Sequence, residues 1–113
     1  MIKIYHNNRC SKSRCGLQIL EESGKEFQII KYLENVPSHQ ELKEIIGLLG
    51  IKPIDLVRKN EAVWKSEFKN KDLTDSQIIK AMVENPKLIE RPIIIHGDKA
   101  VIGRPPEAIS EIL

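Results

Sequence analysis

Residues 2–23 read IKIYHNNRCSKSRCGLQILEES, and this stretch decides the fold class. Apolar and polar side chains alternate over residues 2–6, which predicts a short first strand. The polar loop that follows ends at Cys10. Over residues 11–23 apolar side chains recur at helical spacing, and Gly24 marks the end of the helix. Cys10 therefore stands between the end of a strand and the beginning of a helix.

The next part of the chain predicts one more strand and then a series of helices. Residues 27–33 are rich in isoleucine and aromatic side chains, which favours a second strand. Ser38 and Thr74 each begin a capping-box sequence ahead of apolar residues at helical spacing. We interpret residues 38–84 as a helical insertion within one domain.

The C-terminal part returns to strands. Residues 92–95 form a continuous apolar run, which is typical of a strand buried on both faces. A turn candidate at 96–99 and a short strand at 100–102 follow, and residues 105–113 predict a terminal helix with proline in its first turn. The order β-α-β, helices and β-β-α matches an α/β thioredoxin-like layout, in which a four-stranded mixed sheet has flanking helices. We expect a single domain over residues 1–113, because neither part outside the insertion could easily bury its own core.

Composition indicates the class of protein but not its activity. The 113 residues include 18 Lys and Arg against 16 Asp and Glu, and the net charge of +2 is too small to favour a nucleic-acid or membrane-surface partner. No apolar stretch approaches the roughly 20 residues of a membrane span, and the N-terminus lacks the long apolar region of a signal peptide. Two cysteines are too few for a disulfide scaffold. We expect a cytoplasmic protein that binds neither nucleic acid nor membrane.

The loop around Cys10 combines the features of a reactive thiol and an anion site. Unpaired N–H groups at a helix N-terminus stabilise a thiolate and also bind oxyanions. Arg9, Lys12 and Arg14 add positive charge, and Ser13 adds a hydroxyl donor. We therefore expect a lowered pKa for the Cys10 thiol and oxyanion contacts from Ser13 and Arg14.

Other cysteine and metal motifs do not fit this loop. A thioredoxin-type C-x-x-C pair needs Cys where Ser13 stands, and a phosphatase-type C-x5-R loop needs Arg where Gly16 stands. Cys15 lies five residues after Cys10, which on a helix is about 7.5 Å of rise and more than a disulfide comfortably bridges. We expect Cys15 to be a small core residue. No metal site is expected, because the three histidines show no ligand spacing: His6, His39 and His96.

Five segments in chain order resemble one known family, the glutaredoxin-dependent arsenate reductases or ArsC family. They are HNNRCSKSR at 6–14, YLEN at 32–35, LVRKN at 56–60, NPKLIERPI at 85–93 and IGRPPE at 102–107. The loop sequence C-S-K-S-R is most similar to the YfgD-like branch. The resemblance covers essentially the whole chain, and the segments together are highly specific although each alone is weak.

The resemblance implies a thioredoxin-like fold with a helical insertion and a set of residue roles. Cys10 would be the nucleophile, and His6 would help to favour its thiolate form. Pro92 would be the cis-proline that precedes a central strand of this fold. Three arginines from distant parts of the chain would converge on Cys10 and hold the oxyanion: Arg58, Arg91 and Arg104.

The resemblance also implies a reaction and its partners. The Cys10 thiolate would attack arsenate and form a cysteine–arsenate adduct. Glutathione, as co-substrate, would attack this adduct, and glutaredoxin would resolve the mixed disulfide as arsenite departs. The role would be arsenic detoxification. No bound cofactor is expected, and we expect a monomer.

Departures from the family pattern leave the substrate open. The usual H-N-P is His6-Asn7-Asn8 here, and Ser11-Lys12 replace the Gly-Thr of the best-known arsenate reductases. Two alternatives therefore stand beside arsenate reduction. One is a thiol oxidoreductase that acts on another oxyanion or on glutathionylated proteins. The other is an Spx-like regulator that binds RNA polymerase, which prefers a C-x-x-C switch that this chain lacks.

Overall fold

Four short strands form one mixed sheet in the computed structural model, which describes residues 1–113. Their order across the sheet is β2-β1-β3-β4, with β1 parallel to β2 and the other two pairings antiparallel. The predicted four-stranded mixed sheet is confirmed, although the second strand ends earlier than its apolar pattern indicated. The strands are β1 Ile2–Tyr5, β2 Phe27–Ile30, β3 Ile93–His96 and β4 Lys99–Ile102.

Helix α1, Ser11–Ser23, connects the two parallel strands. Two adjacent parallel strands need such a crossover connection, because a tight turn can join antiparallel strands only. The helix ends at Gly24, whose φ of 74° is the left-handed conformation that glycine adopts without a steric penalty. The buried face of α1 contributes Leu20 to one apolar cluster with side chains of the sheet and the C-terminal segment, namely Ile2, Ile4, Ile94 and Ile109.

Strand β3 lies in the middle of the sheet, and its first half is fully buried. Ile93 and Ile94 are inaccessible, whereas Ile95 and His96 are half-buried, so three of the four residues of the predicted run 92–95 are buried. Gly97, with φ of 65°, makes the tight turn into β4 that the sequence predicted.

The C-terminal helix differs from the prediction in type. Pro106–Ile112 is a 3₁₀ helix that begins after Pro105, and it places Ile109 in the core. Two prolines at its start remove backbone donors, and seven residues are too few to favour an α-helix without them. His96 Nδ1 donates to the Ile112 carbonyl at 2.6 Å, which ties the end of this helix to the β3–β4 hairpin.

Residues 36–90 form a second compact unit, Val36–Glu90, separate from the unit that contains the sheet. Helix α2, His39–Leu49, and helix α3, Asp75–Glu84, pack together there. Thr74 and Gln77 form the predicted reciprocal capping box, whereas Ser38 accepts from the Glu41 N–H without the return bond. No helix of the chain is long and apolar enough to cross a bilayer. Whether the two units count as one domain stays a prediction.

Pro92 follows a cis peptide bond, as the family resemblance implied, and it packs against two glycines. A Cβ atom on Gly16 would lie 3.0 Å from Pro92 Cγ, and one on Gly103 would lie 2.8 Å from the same atom. The Gly103 N–H also donates to the Pro92 carbonyl at 2.8 Å. Gly103 therefore approaches Pro92 more closely than a side chain at that position would permit, and Gly16 leaves little room for one.

Gly103→Ala should destabilise the protein by about 1–3 kcal/mol, because the rigid Pro92 ring cannot move aside for the added methyl group. Gly47→Ala is the matched control: Gly47 lies inside α2 with nothing within 4 Å of its Cβ position. Here alanine should stabilise the helix by about 0.5–1 kcal/mol. Urea unfolding of both variants measures this, and equal effects would contradict the packing argument.

Candidate functional site

A network of hydrogen bonds holds the loop that leads into α1. The Cys10 N–H donates to the Asn7 carbonyl at 3.0 Å, which closes a tight turn over residues 7–10. The Asn7 N–H donates to Ser13 Oγ at 3.0 Å, and Arg14 Nη1 donates to the Asn8 carbonyl at 3.0 Å. The first turn of the helix thus fixes the loop that presents the cysteine.

Cys10 is the N-cap residue of α1, and its thiol is buried. Burial raises the pKa of this thiol, because it disfavours the charged form. Three neighbours lower this pKa and together outweigh burial: the backbone N–H of Ser13, then the Arg91 guanidinium through a hydrogen bond and its positive charge, and the backbone N–H of Lys12. The Cys10 side chain accepts no capping hydrogen bond at the start of α1, so these two N–H groups act as nearby dipoles. The pKa of Cys10 therefore lies below its ordinary value.

Arg104 is the second guanidinium at the sulfur. Its Nη2 donates to Cys10 Sγ at 3.4 Å, while its Nε donates to the Arg91 carbonyl at 2.9 Å. The bond to the Arg91 carbonyl fixes the plane of the Arg104 guanidinium. The same group thus donates to a backbone carbonyl and to the Cys10 sulfur. Two of the three predicted arginines thus meet Cys10. Nothing in the sequence spacing indicated that the Arg91 carbonyl orients Arg104.

Ser13 and Arg14, predicted to contact the oxyanion, have observed roles in the loop itself. The Ser13 side chain is fully buried, and its hydroxyl oxygen accepts the Asn7 N–H. The Arg14 side chain is exposed and bonded to the Asn8 carbonyl. Contact of either side chain with an oxyanion stays a prediction, whereas the backbone N–H of Ser13 lowers the pKa of the Cys10 thiol.

His6 is almost completely buried at the end of β1, where its backbone N–H donates to the Ile30 carbonyl at 2.9 Å. Burial lowers the pKa of His6, and the charges of Lys31 and Arg14 lower it further, although a hydrogen bond to the Ser13 backbone opposes them. The ring is therefore mostly neutral at pH 7. At that pH His6 therefore does not stabilise the thiolate through a full positive charge.

Arg58 lies in the second unit, where two carboxylates hold its guanidinium. Its Nη1 lies 3.4 Å from Glu90 Oε1 and its Nε lies 3.6 Å from Glu61 Oε1. Its backbone N–H donates to the Leu88 carbonyl at 2.7 Å. The side chain is thus oriented within its own unit, and its role at Cys10 stays a prediction.

Cys15 is exposed, so the expectation that it is a core residue is wrong. The buried residues of α1 are Ser13, Gly16 and Leu20, which share one face. Cys15 is two residues after Ser13, which rotates it by about 200° to the opposite side of the helix. Cys10 and Cys15 are both free thiols.

The Cys10 thiol should ionise below its ordinary pKa, and Arg91→Gln should raise that pKa because a hydrogen bond and a charge are lost. The rate of alkylation by iodoacetamide against pH measures it in a Cys15→Ser background, where Cys10 is the one remaining thiol. Lys43→Gln, at an exposed cation of α2, serves as control and should leave the midpoint unchanged. An Arg91→Gln midpoint equal to the parent value would contradict the assignment.

The lowered pKa of His6 makes stability depend on pH. Because the unfolded chain binds this proton more readily, the stabilising contribution is complete above the ordinary histidine pKa of 6.5 and is lost as pH falls through the folded pKa. His6→Gln should remove this acid-side loss, whereas His39→Gln, at an exposed histidine, should retain it. Urea unfolding between about pH 7.5 and about pH 5 gives the free energy of unfolding of each variant as a function of pH. An equal loss of this free energy toward low pH in both variants would contradict the assignment to His6.

Comparison with known proteins places the chain in a family. The model of the ArsC family matches residues 5–112. A protein of Haemophilus influenzae named arsenate reductase is 46% identical over 112 residues, 97% of this chain and 97% of its own. YfgD of Escherichia coli is 43% identical over 114 residues, 99% of this chain and 96% of its own.

Solved structures agree with this placement. Arsenate reductase from Vibrio cholerae has a TM-score of 0.94 and 45% identity, over 99% of this chain and 97% of that one. The fold is accordingly thioredoxin-like, as the order of its strands and helices predicted. With a family model across nearly the whole chain and relatives of more than 40% identity, this chain belongs to the ArsC family.

Proposed function

We propose that this chain is an arsenate reductase that takes its electrons from glutathione and glutaredoxin. The observation that supports this most directly is the placement of Arg104 Nη2 at 3.4 Å from the Cys10 sulfur, with Arg91 as a second donor. A thiolate surrounded by guanidinium groups suits attack on an oxyanion, because the same donors stabilise both negative charges. The names of the relatives from Haemophilus influenzae and Vibrio cholerae agree with this choice of oxyanion.

In the first step, the Cys10 thiolate attacks the arsenic of arsenate. A sulfur–arsenic bond forms, and one arsenic–oxygen bond breaks as the oxygen takes up protons and leaves as water. Arg91 and Arg104 donate to the remaining oxygens, and we assign further contacts to Arg58 of the second unit, Ser13 and Arg14. Arsenic remains As(V) at this stage.

In the second step, a glutathione thiolate attacks the Cys10 sulfur. A sulfur–sulfur bond forms, the sulfur–arsenic bond breaks, and its electron pair stays on arsenic, which departs as As(III) in arsenite. The two sulfurs are oxidised to a mixed disulfide as arsenic is reduced by two electrons. A glutaredoxin thiolate then attacks the glutathione sulfur and releases the Cys10 thiolate.

No step requires a metal, a bound cofactor or a second copy of the chain. We propose that the protein acts as a monomer in the cytoplasm, where the glutathione pool supplies the thiol and keeps cysteines reduced. The proposed biological role is arsenic detoxification. Reduction of another oxyanion by the same thiolate is the second candidate, because the guanidinium donors recognise oxyanion charge rather than arsenic itself.

Cys10→Ser should abolish arsenite formation from arsenate in the presence of glutathione and glutaredoxin, because no thiolate remains to attack arsenic. Arg104→Gln should lower kcat/KM for arsenate by about 10²-fold, the usual cost of removing one donor to a developing oxyanion. Cys15→Ser is the matched control and should keep full activity, since Cys15 lies on the outer side of α1. Equal arsenite production by wild type and Cys10→Ser would exclude this mechanism.

A further inference from the structure

A cavity of about 310 Å³ lies beside the turn that presents Cys10. One wall is the loop that precedes Cys10, and the other is the segment that follows β2. The cavity therefore opens at the carboxyl ends of the parallel strands β1 and β2, which is a common place for ligands in α/β sheets. Its lining residues are His6, Asn7, Asn8, Arg9, Lys31, Leu33 and Glu34.

The charged side chains of this cavity have both signs and no ion pair within the chain. Arg9 and Lys31 are cations, Glu34 is an anion, and all three are exposed. The ion pairs of Arg58 with Glu61 and Glu90 lie in the other unit. Leu33 adds an apolar patch that is 38% exposed. These groups are available to a ligand without breaking a contact of the fold.

The reaction proposed above needs a second thiol, and the chain does not supply one. Cys15 lies on the opposite face of α1 from the buried residues, about 7.5 Å along the helix from Cys10. That spacing is more than a disulfide bridges without unwinding the helix. The second sulfur must therefore come from a separate molecule that binds close to the Cys10 turn.

We propose that this cavity binds the reducing thiol, and that its occupant is a small zwitterionic thiol peptide of the glutathione class. Carboxylates of the peptide pair with Arg9 and Lys31, and its ammonium group pairs with Glu34. This inference rests on the proposed function, because it assigns a site to the thiol of the second step. The bonds made and broken are those already given for that step.

The mixed charge of the cavity distinguishes this occupant from the oxyanion. A multiply negative arsenate or phosphate would lie near the Glu34 carboxylate, which costs free energy, whereas a zwitterion satisfies both signs. The volume, about 310 Å³, is at the lower end for small-molecule sites and excludes a folded protein domain as occupant. Asn7 and Asn8 supply amide groups that match the peptide bonds of such a ligand.

The cavity and the nucleophile also share one turn. The Asn7 carbonyl accepts the Cys10 N–H at 3.0 Å, so the residue that lines the cavity and the residue that attacks are held together. Arg9 immediately precedes Cys10 in the chain, so a ligand anchored on Arg9 would be held at the turn that carries the buried nucleophile.

Binding can be measured apart from chemistry with S-methylglutathione and the Cys10→Ser protein. The ligand sulfur is a thioether and position 10 carries a hydroxyl group, so no disulfide can form between them. Titration should shift backbone amide signals of residues 7–9 and 31–34. The double variant Arg9→Glu, Lys31→Glu should weaken binding about tenfold or more, because two charge-assisted contacts become repulsive. The matched control is Lys43→Glu, Lys80→Glu, which makes the same change of charge at exposed sites in α2 and α3 and should bind as the parent does.

The contact to Glu34 has its own test. Wild-type protein should bind S-methylglutathione about threefold or more tightly than the N-acetylated derivative, which lacks the ammonium charge. Glu34→Gln should remove this preference while leaving the fold intact, since Glu34 is exposed. Equal binding of the two ligands by wild type, signals that shift elsewhere in the protein, or unchanged binding by the Arg9→Glu, Lys31→Glu variant would overturn the site.

Failure of the site and failure of the proposed function give different results. If the site is correct and the protein reduces arsenate, the Arg9→Glu, Lys31→Glu variant raises the KM for glutathione. Arsenate should still protect Cys10 of this variant from alkylation as it does in wild type. If S-methylglutathione binds as expected but wild type forms no arsenite, the cavity assignment stands and arsenate reduction is excluded.

Discussion

Burial of the Cys10 thiol opposes its ionisation, and the rest of the site depends on overcoming that penalty. The N–H groups at the start of α1 and the Arg91 guanidinium outweigh burial, so that the pKa of the thiol lies below its ordinary value although the sulfur is buried. A buried thiolate keeps the strength of its charged contacts, because little water screens them. In the same environment of low polarity, a donor that is displaced from the sulfur leaves the charge unpaired at a large cost in free energy. This explains why several short-range hydrogen bonds hold the loop in place.

Close packing around Pro92 supplies the geometry that these electrostatics require. Arg91 precedes Pro92 and Arg104 follows Gly103, so both guanidinium groups project from a single point of contact between two segments. Gly16 completes that contact from α1, six residues after the nucleophile. The absence of side chains at the two glycines thus has a functional effect, because it brings the helix that bears the thiolate against the segments that bear its counter-charges.

Local rules predicted the parts of the structure that local physics determines. The turn at Gly97, the helix end at Gly24 and the capping box at Thr74 each depend on neighbouring residues alone. The prediction that Cys15 is a core residue was wrong, because the buried face of α1 consists partly of small residues that a hydropathy pattern does not identify. The bond from Arg104 to the Arg91 carbonyl spans 13 residues and two segments, and no spacing rule predicts it. Resemblance to a family identified the arginines, whereas the tertiary structure alone shows how two of them are aimed.

The shared hydrogen bonds of Arg104 imply that the guanidinium need not be recruited during the proposed reaction. Its Nε donates to the Arg91 carbonyl while its Nη2 donates to the Cys10 sulfur, which in the proposed reaction carries the negative charge before attack. Once sulfur bonds to arsenic that charge is gone, and the donor is left beside oxygens that have become the strongest acceptors nearby. One fixed N–H group can thus serve the nucleophile and the substrate in succession, and the protein has no need of a moving loop to transfer the positive charge between them.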